Sequence, residues 1–198
     1  VHVTDLVGAA QRKARESAKL IEAFFTEQAR GIESCAHAIA ERLATGGTLY
    51  AFGNGGSACD AQHLVVELMH PIFEKRRAFA AHALPNDVAL ASALGNDRDY
   101  ALGFARQLEL YGKAGDIALG ISTSGQSANV VRALRAARQA GLLTIGFAGR
   151  DGGKLVDVCE HAFVVPSYSI HRIQEVHTVL LHVLWDLVHL TLGEEDML

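Results

Sequence analysis

Five short apolar runs, TLYAFG at 48–53, AFAAHAL at 78–84, DIALGIS at 116–122, LLTIGFAG at 142–149 and HAFVVPS at 161–167, are spaced along the chain by segments that read as helix. These runs are continuously apolar rather than alternating, so each strand is expected to be buried on both faces. Helices between them make every connection a crossover, which is the signature of a parallel sheet. No internal repeat or low-complexity linker interrupts the series.

Ahead of the first run, the first 45 residues are helical by pattern. Ile32, Cys35, Ala36, Ile39, Ala40 and Leu43 form one apolar stripe, an earlier helical piece carries Leu20, Ile21, Phe24 and Phe25, and Gly46-Gly47 supplies a left-handed stop. The last long helix, at about 171–191, presents Ile173, Val176, Leu180, Leu181, Val183 and Leu184. That surface is broad enough to serve the core, a neighbouring subunit or both.

Composition narrows the classes of function. With 198 residues, 49% of them hydrophobic and 20% charged, the chain has room for one sizeable core and the balance of a compact soluble protein. Cys35, Cys59 and Cys159 show no CxxC spacing, so neither a disulfide framework nor a thiolate zinc site is indicated, and a reducing cytoplasm is the expected setting. A formal net charge of −4, with no basic cluster beyond Glu74-Lys75-Arg76-Arg77, leaves no electrostatic footprint for nucleic acid. Neither end has the uninterrupted apolar length for membrane insertion, because VLLHVLWDLVHL is broken by His182, Asp186 and His189. A small molecule is the expected partner.

Two loops indicate which kind. AFGNGGSACDAQ (51–62) and GISTSGQSANVV (120–131) each lie between an apolar run and a helical segment, which places both on the sheet rim where ligands of parallel α/β folds bind. Glycines at 53, 55 and 56 let backbone N–H groups approach a ligand, and a helix N-terminus favours an anion. Ser57, Ser122, Thr123, Ser124 and Ser127 add neutral donors, enough to hold a phosphate without a dedicated lysine. The plainer reading is that Ser57 and Ser127 cap their helices. GNGGSA also satisfies the dinucleotide pattern G-x-G-x-x-A, but AFAAHAL offers no acidic residue before Asp87 to hold a ribose. A phosphosugar protein therefore ranks above a nicotinamide or flavin enzyme.

Beyond the first loop, His63 and Glu67 lie four apart on a helix whose apolar face is Ala61, Leu64, Val65 and Leu68. On the C-terminal helix Gln174, His177 and His182 interrupt an apolar surface. Such residues are usually a solvated pair and ordinary core histidines. The short distance from His63 to the first loop is what raises a chemical role for the pair.

GNGGSACDAQH, GNDRDYALGFARQ, ISTSGQSANV and RIQEVHTVLLH, in that order, resemble the SIS (sugar isomerase) domain family, and within it the sedoheptulose 7-phosphate isomerases, or phosphoheptose isomerases. The resemblance covers about residues 20 to 191. It implies a single SIS domain over 1–198, with a flavodoxin-like five-stranded parallel sheet flanked by helices. Residues 1–45 would be an N-terminal helical extension used in packing and assembly, and 46–198 the α/β core and C-terminal helix. It further implies a homotetramer that converts D-sedoheptulose 7-phosphate to D-glycero-D-manno-heptose 7-phosphate in bacterial heptose biosynthesis.

Position by position, the resemblance makes Ser57, Ser122, Ser124 and Ser127 phosphate ligands. Asn54, Gly55, Gly56, Asn96, Asp97 and Thr123 line the sugar, with Gln174 also at the substrate. Glu67 and His182 become the catalytic pair, and His63, Glu67, Gln174 and His182 the ligands of one zinc ion per subunit. Cys59, Ile170 and His171 depart from the family pattern, which bears on the exact sugar. A non-catalytic SIS module that binds a phosphosugar or a replication initiator is the alternative, but relatives of that kind commonly lack the residues matching Glu67 and His182.

Gln174 and His182 lie eight residues apart, about 12 Å along one helix. One chain is not expected to bring both to one ion, so the active site, and with it the Glu67–His182 pair, is expected to be shared between subunits.

Overall fold

The computed structural model describes residues 5–72 and 75–196. Each apolar run forms a strand: β1 (Leu49–Gly53), β2 (Ala81–Ala83), β3 (Ile117–Ser122), β4 (Leu143–Gly149) and β5 (His161–Val165). All pairings are parallel and the order is β2-β1-β3-β4-β5. Burial follows that order, with every residue of β1, β3 and β4 buried while the two edge strands keep accessible positions. This is the flavodoxin-like arrangement, in which the strand order reverses between β1 and β3 and opens a crevice at their carboxyl ends.

Helices cover both faces. Because the pleat sends successive side chains to opposite sides, Leu49 and Ala51 of β1 face one core while Tyr50 and Phe52 face the other. The first core is closed by α1 (Leu6–Ala44), α2 (Gly56–Met69) and α6 (Ile170–Thr191), and the second by α4 (Gly103–Tyr111) and α5 (Ala128–Gln139). α3 (Val88–Asp97) buries no residue. Short 3-10 turns occupy Leu84–Asn86, Tyr100–Leu102 and Val156–Val158.

Two details differ from the expectations. The N-terminal region is one 39-residue helix rather than two pieces; Asp5 caps it by accepting from the Gly8 N–H at 2.8 Å, and it stops at Thr45 with Gly46 at φ +90°. AFAAHAL contributes only three strand residues, and a 3-10 turn that begins at Leu84 and contains Pro85 ends the strand at Ala83. Within the basic run Arg76 is buried and pairs with Asp186 at 2.5 Å while Lys75 and Arg77 are exposed; Glu74 lies outside the described residues, as do residues 1–4 of the N-terminal segment. Among the described residues no helix is long and apolar enough to cross a membrane.

His177 ties α6 to the sheet. It is fully buried beside Phe147, and its Nε2 lies 3.0 Å from the Ala148 carbonyl, so the neutral ring donates there and Nδ1 is buried without a partner. Burial pushes its pKa down to about 4, with the Ala148 bond acting in the opposite direction. Between that value and the ordinary 6.5 the unfolded chain binds the proton and the folded chain does not. Stability is therefore complete above about pH 6.5 and falls as pH drops toward 4, by about 3 kcal/mol in total for this group. Denaturant unfolding at pH 7.5 and 4.5 should show this loss in the wild type and a smaller one in His177→Gln. Equal losses in both proteins would contradict it.

Candidate active site

The two quoted loops meet where the strand order reverses. After β1, Gly55 takes φ +56° and ψ −125°, a conformation suited to glycine, and serves as the N-cap of α2 without a side chain. Ser57 is thus the second residue inside the helix and not its cap. Ser127 does occupy the cap position of α5, yet its side chain makes no cap bond. Capping therefore explains neither serine.

Within the second loop the Ser122 hydroxyl donates to the Ser127 hydroxyl at 2.9 Å, and the Gln126 N–H donates to Ser124 Oγ at 3.2 Å. Ser57 and Ser122 are buried, while Thr123, Ser124 and Ser127 are partly accessible. Asn54 and Asn129 exchange amide hydrogen bonds of 2.9 and 2.8 Å, which fixes the first loop to the start of α5. The Tyr100 hydroxyl also donates to Asn54 Oδ1, at 3.1 Å, and brings the segment after α3 toward the rim. Asn96 and Asp97 lie at the exposed end of α3, bonded to each other at 2.7 Å. Sequence reasoning missed Asn129 and Tyr100. The available signal for Asn129 was a polar residue in the otherwise apolar buried face of α5.

α2 and α6 run side by side in the same direction. Gln174 packs on Gly56, the Thr178 hydroxyl donates to Asp60 Oδ1 at 3.3 Å, His182 meets His63, and Trp185 Nε1–H donates to the Glu67 carbonyl at 2.9 Å. Asp60 is half-buried; desolvation raises its pKa, opposed by the Thr178 hydroxyl and by His63.

His63, Glu67 and His182 converge toward the C-terminal end of the seam between α2 and α6. His63 Nε2 is 3.3 Å from Glu67 Oε1 and 3.3 Å from His182 Nε2, and the three ligand atoms lie within 4.8 Å of one another. A tetrahedral zinc site with bonds near 2.0–2.1 Å puts neighbouring donors about 3.4 Å apart, so the donor types and the two 3.3 Å spacings from His63 fit that ion. Desolvation and then the neighbouring His63 lower the His182 pKa, with Glu67 acting in the opposite direction. A neutral ring, the form that binds a metal, is thereby favoured.

Within one chain Gln174 is not brought to the three ligands, as its eight-residue separation from His182 leads one to expect: it lies beside Gly56, at the loop end of α6 and about 12 Å along that helix from His182. Glu67 and His182, expected to come from different subunits, meet within one chain, because the parallel register of α2 and α6 places them at the same level. Cys59, Ile170 and His171 are all exposed, Cys59 on α2 and the other two on the first turn of α6.

Known proteins share this architecture. A family model described as SIS domain matches residues 14–149. A phosphoheptose isomerase of Aquifex aeolicus is 46% identical over 174 residues, covering 88% of this chain and 91% of its own length. The solved phosphoheptose isomerase from Neisseria gonorrhoeae superposes with a TM-score of 0.86 at 34% identity, covering 93% of this chain and 98% of that one. The structure from Francisella tularensis gives 0.88 at 29% identity over 94% and 100%. With its reversal-point loops, its histidine–glutamate cluster and relatives matched along nearly their full length, this chain belongs to the SIS domain family and, within it, to the phosphoheptose isomerases.

Proposed function

We infer that this chain is an aldose–ketose isomerase that converts D-sedoheptulose 7-phosphate to D-glycero-D-manno-heptose 7-phosphate through an enediol or enediolate, in bacterial heptose biosynthesis. The observation that carries the reading is the groove between α2 and α6. It has a hydroxyl-rich, anion-favouring rim at one end and a base, an imidazole and a metal-ligand set at the other. A binding-only module leaves that set without a task.

In this reading Ser57, Ser122, Ser124 and Ser127 hold the phosphate, their hydroxyls turning from one another to the anion. Asn54, Gly55, Gly56, Asn96, Asp97 and Thr123 line the sugar. Glu67 removes a proton from C1 of the ketose; the C–H electrons form the C1–C2 double bond, and His182 serves the proton that O2 takes up. Loss of the O1 proton and return of a proton to C2 complete the aldose. Glu67 Oε1 faces His63, which leaves the second carboxylate oxygen to move the proton. His63, Glu67 and His182 would hold zinc, which when bound supplies positive charge to oxygens as they become negative.

A homotetramer in the cytoplasm, with residues 1–45 assisting assembly of one domain spanning 1–198, completes the proposal. Gln174 of a second copy would supply the fourth position at the metal. The direct test is incubation with sedoheptulose 7-phosphate followed by separation of ketose and aldose phosphates. Formation of the aldose supports the assignment, and unchanged ketose with zinc-loaded, folded protein rejects it.

A further inference from the structure

Glu67 sits two residues before the end of α2, in the final turn where helix carbonyls lack intrahelical donors. The C-cap His70 N–H still closes Val66 O in the helical pattern, and two of the carbonyls beyond it are met from elsewhere: Leu68 O by the Phe79 N–H at 2.8 Å, and Glu67 O by the indole N–H of Trp185 at 2.9 Å. Only the last of these donors is a side chain. Trp185 follows His182 by three residues on α6, so one helix engages Glu67 twice. His182 approaches the same ligand cluster as its carboxylate, and Trp185 holds its backbone.

The indole is itself fixed. Its ring is buried, the Arg76 guanidinium stacks over it at 4.5 Å from the centroid, and His189 packs edge-on at 4.8 Å. Arg76 is anchored in turn by Asp186, the residue after Trp185. A tryptophan that only filled the core would need none of this orientation.

We propose that Trp185 is a positioning residue for Glu67: its N–H, held in place by Arg76, fixes the last turn of α2 and thereby sets the carboxylate against His63 and His182. The proposal rests on Glu67 serving the isomerase site and adds a residue outside the ligand set that governs it.

Trp185→Phe keeps an aromatic ring for Arg76 to stack on and removes the donor together with part of the indole's buried volume, so the zinc and kinetic readouts are taken alongside a thermal melt. Loss of a partner outside the ligand shell lowers metal affinity or activity by about 10- to 100-fold. The variant should accordingly show kcat reduced by that factor with KM within about twofold of wild type. Its zinc affinity, measured by competition with a chromophoric chelator, should fall in parallel. A folded variant with both kcat and zinc affinity within twofold of wild type overturns the proposal.

Trp185 is the only tryptophan in the chain, so its ¹⁵N-indole resonance gives a second test in the unmutated protein. Zinc should shift that resonance and slow exchange of its proton. If Trp185→Phe does not fold, the absence of any zinc-dependent change, with metal loading verified, overturns the proposal. Zinc affinity and the indole signal are read without turnover. A failure of the isomerase assignment therefore appears as an inactive wild type that binds zinc, whereas a failure of this proposal leaves an active wild type and an unaffected variant.

Discussion

Glu67→Gln should reduce isomerisation by about 10³-fold or more while the protein stays folded. General acid–base groups contribute roughly 10²–10⁴ in rate, and a thousandfold corresponds to about 4 kcal/mol of barrier. Glutamine preserves volume and the contact with His63, and the Glu67 side chain is partly exposed, so the substitution leaves no cavity. Turnover of sedoheptulose 7-phosphate gives the rate and a thermal melt gives the fold. Near-native turnover would remove Glu67 from the chemistry, whereas a collapsed melting temperature would assign it a structural role instead.

A second large effect separates two ways of building the site. His63, Glu67 and His182 meet within one chain, so mixing Glu67→Gln with His182→Ala under subunit exchange should restore nothing: every cluster in the mixture carries one defect. Mixing Glu67→Gln with Gln174→Ala should behave differently if Gln174 acts across subunits. There the intact cluster of one chain meets the intact glutamine of the other, and roughly a quarter of wild-type activity should return in a random symmetric assembly. Failure of this second mixture, with hybrids verified, would end the shared-site proposal and return Gln174 to its own chain's loop.

The architecture was legible because the strands are buried on both faces and so read as unbroken apolar runs. Ile117 to Ser122 is the clearest case. The long first helix was harder to read, since Gly31 falls between its two apolar stretches; packing on α6 and β5 overrides that local weakness. Among site residues, His63 and Glu67 could be paired from their spacing alone, as both lie on one helix. What no spacing contains is how α2 lies against α6. That relation is set by contacts more than a hundred residues apart, such as Thr178 with Asp60 and Trp185 with Glu67. It is also what unites Glu67 with His182 and separates Gln174 from them. Asn129 escaped notice for a similar reason, because its partner Asn54 lies 75 residues away.

The reciprocal amide pair between Asn54 and Asn129 bears on how a substrate is received. It spans the two rim loops and holds both amides in place by bonds within the protein. The spacing between the two helix N-termini is therefore preorganised, and the entropy of arranging the loops is lost during folding and not on each encounter. Capture of the phosphate should accordingly be fast and accompanied by little backbone movement at residues 53–57 and 122–127.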